Sequence, residues 1–235
     1  MYDHKLYVRT LSEFTRVLLS PYDVHAALGE LADRVSEALG LIGSGVSLIH
    51  DGRLEFDNAH GAPIAEVERV QEQVQVGPCV AAVRSGQVVA VTDLASQADR
   101  WPDYCDAAAR VGITAVASLP MRLGEDDAPI GALNLYADGL RDWPEEDVAA
   151  AAVMADMATA YLVNASYHRK QVELAEQLQS ALDSRVIIEQ AKGVLVARHR
   201  IAPGEAFNRL RRYARSRSVS LTSVADAVVR LKLDP

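Results

Sequence analysis

Residues 184–233 read SRVIIEQAKGVLVARHRIAPGEAFNRLRRYARSRSVSLTSVADAVVRLKL. Apolar residues recur there at helical spacing in three short runs. The first run puts Ile187, Ala191, Val194 and Leu195 on one stripe and leaves Lys192 and Arg198 outward. The turn Ala202-Pro203-Gly204-Glu205 opens a second helix with the stripe Ala206, Phe207, Leu210, Tyr213 and Ala214. Arg209 and Arg212 lie on one flank of that stripe, Arg211 and Arg215 on another. A third run buries Leu221, Val224, Ala225, Val228 and Leu231, with Ser220 or Thr222 as its N-cap. The segment predicts an all-α three-helix module with a modest core. Gly193 stands mid-helix, at a cost of about 1 kcal/mol relative to alanine, which predicts a close backbone approach by a neighbouring helix or a ligand.

Charge separates this tail from the rest of the chain. Residues 183–235 hold eleven basic and five acidic side chains, a net +6, while the remainder carries −14 within the whole-chain −8. Such a split fits a polyanion partner for the tail, and equally a solvated helical surface. Just ahead of the tail, Gln171, Leu174, Leu178, Ala181, Arg185 and Ile188 alternate at spacings of three and four. That is a short heptad seam, consistent with a coiled-coil connector and a homodimer, or with a single amphipathic helix.

The N-terminal two thirds predict an α+β domain. Leu6–Leu19 and Asp23–Leu39 have helical spacing, with Leu28, Leu31, Val35 and Leu39 on one stripe, separated by Ser20-Pro21-Tyr22-Asp23. Gly43–Ile49 and Arg53–Ala59 read as strands across Asp51-Gly52. Ile64–Val74 resumes helical spacing and Gly77-Pro78 punctuates before a short helix over Cys79–Ser85. Val88–Thr92 reads as a short buried strand, Ser96–Tyr104 as a loop with a Trp-Pro break, and Asp106–Val111 as a short helix. Ala115–Arg122 and Ile130–Tyr136 form a second strand pair across the acidic loop Gly124–Ala128, and helix runs from Pro144 to about His199. The plan is an antiparallel sheet with helices gathered on one face.

Several classes of function find no support in the sequence. The N-terminus is interrupted by charge and lacks a signal-peptide cleavage site, and apolar runs such as Val88–Val91 and Ala149–Val153 are too short to span a bilayer. Two cysteines, Cys79 and Cys105, make no disulfide framework. A reduced, cytoplasmic protein is expected, with no membrane partner. Phosphate-binding glycine loops, paired metal-spaced histidines and nucleophile motifs are missing, so no catalytic residue, metal or enzyme activity is assigned. Glu125-Asp126-Asp127 reads as a solvated loop, Asp93 as a cap, and Cys79 as a small buried residue; His50, His60 and Tyr104 are structural or exposed.

The tail motif EQAKGVLVARHRIAPGEAFNRLRRYARS…LTSVADAVV resembles an ANTAR domain, a three-helix RNA-binding output module. Ala191 and Gly193 match the first-helix Ala-x-Gly of that family, Lys192 fills its intervening cationic position, and Arg211 matches the arginine of Glu-Ala-Phe-x-x-Leu-Arg. The resemblance implies stem-loop RNA as partner, a dimer, and action on transcription antitermination or translation. By this match and by charge, Lys192, Arg211, Arg212, Arg215 and Arg217 are expected to contact phosphates or loop bases, since guanidinium groups bind phosphate in two-point fashion and stack on splayed bases. Ser218-Val219-Ser220 departs from the polar, basic run found before the third helix in many members.

The set Gly77-Pro78, Gly86-Gln87-Val88-Val89, Thr92-Asp93-Leu94, Trp101-Pro102, Ser118-Leu119-Pro120 and Ile130–Tyr136 resembles a GAF domain. That resemblance implies a sensory domain with a small-molecule ligand whose identity the residues do not specify. The expected organisation is a GAF-like domain over 1–165, a helical coiled-coil connector over 166–182 and an ANTAR-like domain over 183–235, with dimerisation through the connector and the GAF domain. The GAF part would gate RNA binding. A DNA-binding helix-turn-helix regulator and a protein-interaction or ligand-sensing module are the alternatives.

Overall fold

In the computed structural model, which describes residues 3–19, 22–124 and 127–235, the chain divides into two compact units, Met1–Ser166 and Tyr167–Pro235. Two parts of the predicted loops, Ser20-Pro21 and Glu125-Asp126, lie outside the described residues.

The first unit is built on five strands: β1 (Gly43–His50), β2 (Arg53–Ala59), β3 (Val89–Val91), β4 (Ala115–Met121) and β5 (Gly131–Ala137). They pair antiparallel in the order β2-β1-β5-β4-β3, with a bulge in the β1–β2 ladder at Val46/Ser47. Helices α1 (His4–Val17) and α2 (Val24–Leu39) precede the sheet; α3 (Ala62–Val74), α4 (Pro78–Ser85) and α5 (Pro102–Arg110) connect its strands. The helix α6 (Glu145–His199) begins in this unit and ends in the second.

The helices do not gather on one face, contrary to the sequence expectation. Ala115, Ala117, Leu119 and Met121 of β4, with Leu133 and Leu135 of β5, pack against α1, α2 and the first part of α6. Their neighbours Val116 and Tyr136 point the other way, into a second cluster with Ile64 and Val67 of α3 and Trp101, Tyr104 and Ala107 of α5. A third, smaller cluster joins Leu54 and Ala132 to Cys79 and Val80 of α4. A sheet covered twice has apolar or small residues at every position of its central strands, and every residue of β5 is buried.

Helix α2 shows how the sequence sets a boundary. Asp23 accepts from the Ala26 N–H at 2.8 Å, and Gly40 takes a left-handed conformation after the last turn. Between these caps Leu28, Leu31, Val35 and Leu39 all turn inward, as their spacing predicts. Long-range tyrosine bonds tie α1 to α6: Tyr7 donates to the Ala150 carbonyl at 3.0 Å and Tyr161 to that of Phe14 at 2.9 Å. Asp93 caps a 3-10 turn, Leu94–Gln97, by accepting from the Ala95 N–H.

Two local expectations change. Val88 is exposed and β3 is a three-residue edge strand, so that run is not a buried strand. Pro102 does not break structure but opens α5 at its first position, where a missing N–H costs nothing. By length and composition α6 is also apolar enough to cross a membrane, with a mean hydropathy of 1.4 over an 18-residue window. Alanine and valine dominate the apolar residues in the first half of the helix, and Ala150, Ala151, Met154, Ala155, Ala158 and Tyr161 are packed into the core of the first unit.

In the second unit the end of α6 packs with α7 (Pro203–Arg217) and α8 (Leu221–Arg230).

Candidate nucleic-acid interface

The three-helix core closes around Ala191, Leu195, Ala206, Leu210, Ala214, Val224, Ala225 and Val228, all buried. Ile187, Val194, Tyr213 and Leu221 pack against it in part, as does Ile188, which had been placed on the heptad seam. Leu231 is not in this core. Helix α8 stops at Arg230, the chain turns at Lys232 with φ 58°, and Leu233 packs inward instead while Leu231 is 78% exposed.

The closed core fixes which way the arginines of α7 point. At 100° per residue the buried line Ala206–Leu210–Ala214 leaves Arg211 and Arg215 on one side and Arg209 and Arg212 on the other. Arg211, Arg212, Arg215 and Arg217 are exposed and Arg209 is half-buried. Arg217 folds over the Tyr213 ring, its guanidinium carbon 5.6 Å from the centroid. Beside it Glu205, Arg209, Arg212, Tyr213, Ser216 and Pro235 line an open groove of about 390 Å³. The sequence pattern alone gives Tyr213 and Arg209 no contact. The available signal was an aromatic residue inside an arginine-rich run, half on the apolar stripe and half beside the cations.

The first-helix residues divide differently. Ala191 is fully buried and serves the core. Lys192 is held down: its Nζ donates to both carboxylate oxygens of Glu189 at 2.8 Å, and its side chain is only 19% exposed. Gly193 is exposed, and a Cβ built there meets nothing within 4 Å. No neighbouring helix approaches it among the described residues, so that half of the expectation fails. Gly193→Ala should therefore raise the stability of this unit by about 1 kcal/mol, read by chemical denaturation followed on helix content. A loss of stability would show a contact the open surface does not contain.

Other charges are committed within the module. Arg198 donates to the Leu233 carbonyl at 3.0 Å and lies 3.6 Å from Asp234, which also pairs with His199. The hydrogen bond from His199, reinforced by its charge and that of Arg198, holds the Asp234 carboxyl below its ordinary value. Two of the three departing residues are caps. Ser218 takes the left-handed conformation that ends α7, with φ 53°, and Ser220 accepts from the Ser223 N–H to start α8. Ser218 caps through its backbone and Ser220 through its side chain, while Val219 between them is exposed.

The opposite side of the module has the opposite character. A groove of about 930 Å³ between α6 and α8 is lined by Glu176, Asp183 and Asp226 together with Val186, Ile187 and Ala227. Arg230 on its rim is paired with Asp226 at 2.6 Å. Acidic side chains thus gather in the groove between α6 and α8, and exposed arginines on α7.

Comparison with known proteins finds two domain families in the chain. The model of the GAF domain matches residues 22–163 and that of the ANTAR domain matches residues 176–229. Among curated proteins none matches the chain. Among solved structures, the GAF domain of an Acinetobacter phosphoenolpyruvate-protein phosphotransferase superposes with a TM-score of 0.56 at 13% identity, covering 71% of this chain and 97% of that one. Free methionine-R-sulfoxide reductase from Neisseria meningitidis, in complex with its substrate, gives 0.54 at 19% identity, over 72% and 96%. A domain of a sensor histidine kinase protein from Sinorhizobium meliloti 1021 gives 0.51 at 16% identity, over 67% and 99%. At such identities the likeness establishes the fold of the first unit: an antiparallel sheet with helices, which here lie on both faces. The chain belongs to the GAF domain family and carries an ANTAR domain after it, in the order of a GAF–ANTAR regulator.

Proposed function

We propose that this chain is a cytoplasmic, homodimeric regulator of gene expression that binds stem-loop RNA through α7 of its ANTAR domain, acting on transcription antitermination or translation. The observation that carries the reading is the bipolar module: Arg211, Arg212, Arg215 and Arg217 stand exposed on α7, while Glu176, Asp183 and Asp226 line the groove behind α8. Arg209 and Tyr213 extend the interface with a half-buried cation and a ring on which an unpaired base can stack. Lys192, paired with Glu189, contributes after exchanging that partner for phosphate; Gly193 lets the RNA backbone come close to α6, and Ala191 supports both from the core. The GAF domain supplies the signal that gates binding, and the chain catalyses no reaction in this role. Contacts to phosphate give affinity, and contacts to unpaired loop bases give selectivity.

The test is a salt titration of stem-loop RNA binding by fluorescence anisotropy. Arg211→Ala with Arg212→Ala should weaken binding at least tenfold and lower the slope of log affinity against log salt by about two. Circular dichroism should show the helices intact, because both side chains lie outside the core. Unchanged affinity and slope would remove α7 from the interface, and tighter binding to duplex DNA than to stem-loop RNA would favour a helix-turn-helix regulator instead.

A further inference from the structure

Beneath α3, α4 and α5 the GAF domain buries a carboxylate with no cation to balance it. Glu68 is 1% exposed, and among the described residues no lysine, arginine or histidine pairs with it. Neutral donors surround it instead. Oε1 accepts from Asn134 Nδ2 at 2.8 Å and from the Tyr136 hydroxyl at 2.7 Å; Oε2 accepts from Ser47 Oγ at 3.1 Å and Gln71 Nε2 at 3.4 Å. All four lone-pair positions of the carboxylate are thereby used. The arrangement is rigid on its far side: Gln71 Oε1 accepts from the Cys79 N–H at 3.0 Å, and a Cβ at Gly77 would collide with the Gln71 side chain.

Three polar atoms in the same layer make no hydrogen bond within 3.5 Å among the described residues, although the Tyr104 hydroxyl lies close to that of Tyr136. They are the Tyr104 hydroxyl, Ser118 Oγ and Asn134 Oδ1, all on side chains 1% exposed or less. Ser118 and Asn134 face each other across β4 and β5, which places their side chains side by side. Tyr104 reaches in from α5 to stand near the Tyr136 hydroxyl, which is itself bonded to Glu68. Buried polar groups are ordinarily satisfied, so three such atoms clustered around one uncompensated charge are groups that a bound donor would satisfy.

Their chemistry narrows what that is. Asn134 Oδ1 only accepts, and both hydroxyls are able to accept. An ammonium group has three N–H donors and one positive charge, and aromatic rings stand beside the site in Tyr104 and Tyr136. We infer that the GAF domain binds a small primary amine as its ammonium ion, donating to Tyr104, Ser118 and Asn134 and neutralised through space by Glu68. Burial first, and then the charge of Glu68, push the Cys79 thiol and the Tyr104 and Tyr136 phenols well above their ordinary values. This assignment stands apart from the RNA reading, and its test contains no RNA.

The full chain is melted in methylammonium chloride and in n-butylammonium chloride, against potassium chloride, tetramethylammonium chloride and acetamide at matched concentration. The primary amines should raise the GAF melting temperature by several degrees, increasing with concentration; tetramethylammonium, which has no N–H, and uncharged acetamide should not. Tyr104→Phe and Ser118→Ala each remove a hydroxyl without an internal partner. Each unliganded variant should melt at or above the wild-type temperature yet lose at least tenfold in amine affinity. No amine response in the wild type, an equal response to tetramethylammonium or acetamide, or an undiminished response in both variants overturns the assignment. So does a variant that melts lower than the wild type, since its hydroxyl then has a structural partner.

Discussion

Replacing Glu68 by alanine is expected to cost the GAF domain roughly 3–5 kcal/mol and to lower its melting temperature by about 10 °C. Truncation leaves four buried donors facing a void: Asn134 Nδ2, Tyr136 OH, Ser47 Oγ and Gln71 Nε2. Each orphaned donor costs about 1–3 kcal/mol. Two of the four are hydroxyls that rotate to other acceptors, and relief of carboxylate burial offsets part of the rest, so the net cost falls at the low end of the four-donor sum. Thermal denaturation followed on tertiary structure measures it. A melting temperature within a degree or two of wild type would mean that the network around Glu68 contributes nothing.

Glutamine at the same position separates charge from packing. Burial, outweighing the four hydrogen bonds, raises the Glu68 carboxyl above its ordinary value of 4.5. In the folded state this group therefore holds its proton to higher pH than in the unfolded state. Its stabilising contribution is complete below the ordinary carboxyl range and is lost as pH rises through the folded value. Cys79, Tyr104 and Tyr136, the other titratable groups of the cluster, are all displaced upward out of that window. Melting temperature of the wild type minus that of Glu68→Gln should then fall as pH rises from about 4, with the glutamine variant gaining at neutrality. A flat difference would sink this account.

The same residue shows where the sequence was silent. Ile64, Glu68 and Gln71 share one face of α3, and that face is the buried one. A glutamate and a glutamine at helical spacing ordinarily mark solvent, so nothing local distinguishes them from a wet face. Only the strands across from them, carrying Ser47 and Asn134, supply the partners. Burial on both sides of the sheet was hidden for a related reason: AVASLPM and GALNLYA are short, with small residues, and read alike whether one face or two are covered. By contrast, the stripe of α2 was legible because large apolar residues repeat against charged neighbours, whereas α7 buries Ala206, Leu210 and Ala214 and leaves Phe207, expected on the stripe, half-buried outside the core. Phasing alone put Arg211, Arg212 and Arg215 outside the core, but it said nothing of the clasp between Glu189 and Lys192. It was equally blind to the tether from Arg198 to Leu233 and from His199 to Asp234, each joining residues 35 positions apart.

Leu174→Asp with Leu178→Asp is expected to raise the dissociation constant of the proposed homodimer by at least about a thousandfold, or roughly 4 kcal/mol. Residues 168–183 of α6 are exposed on every side within the chain, and Leu174, Leu178 and Leu182 are 56%, 58% and 58% exposed. A stretch of this length has little stability from hydrogen bonding alone, because isolated helices of about 12–15 residues are marginal in water. Gln171, Leu174, Leu178 and Ala181 keep the alternation of three and four that a second helix would cover, though Ile188 is taken by the three-helix core. Burying both leucines against a second copy returns about 25 cal/mol per Å² of apolar surface. Two aspartates there would instead bring four like charges together at a dry seam. Sedimentation velocity at micromolar concentration should show the wild type as a dimer and the variant as a monomer. The monomer should still bind a single stem-loop through α7, but lose the avidity for paired stem-loops that two linked modules provide. A wild type that sediments as a monomer would remove the dimer from the proposed function, and a variant that remains dimeric would move the interface away from this seam.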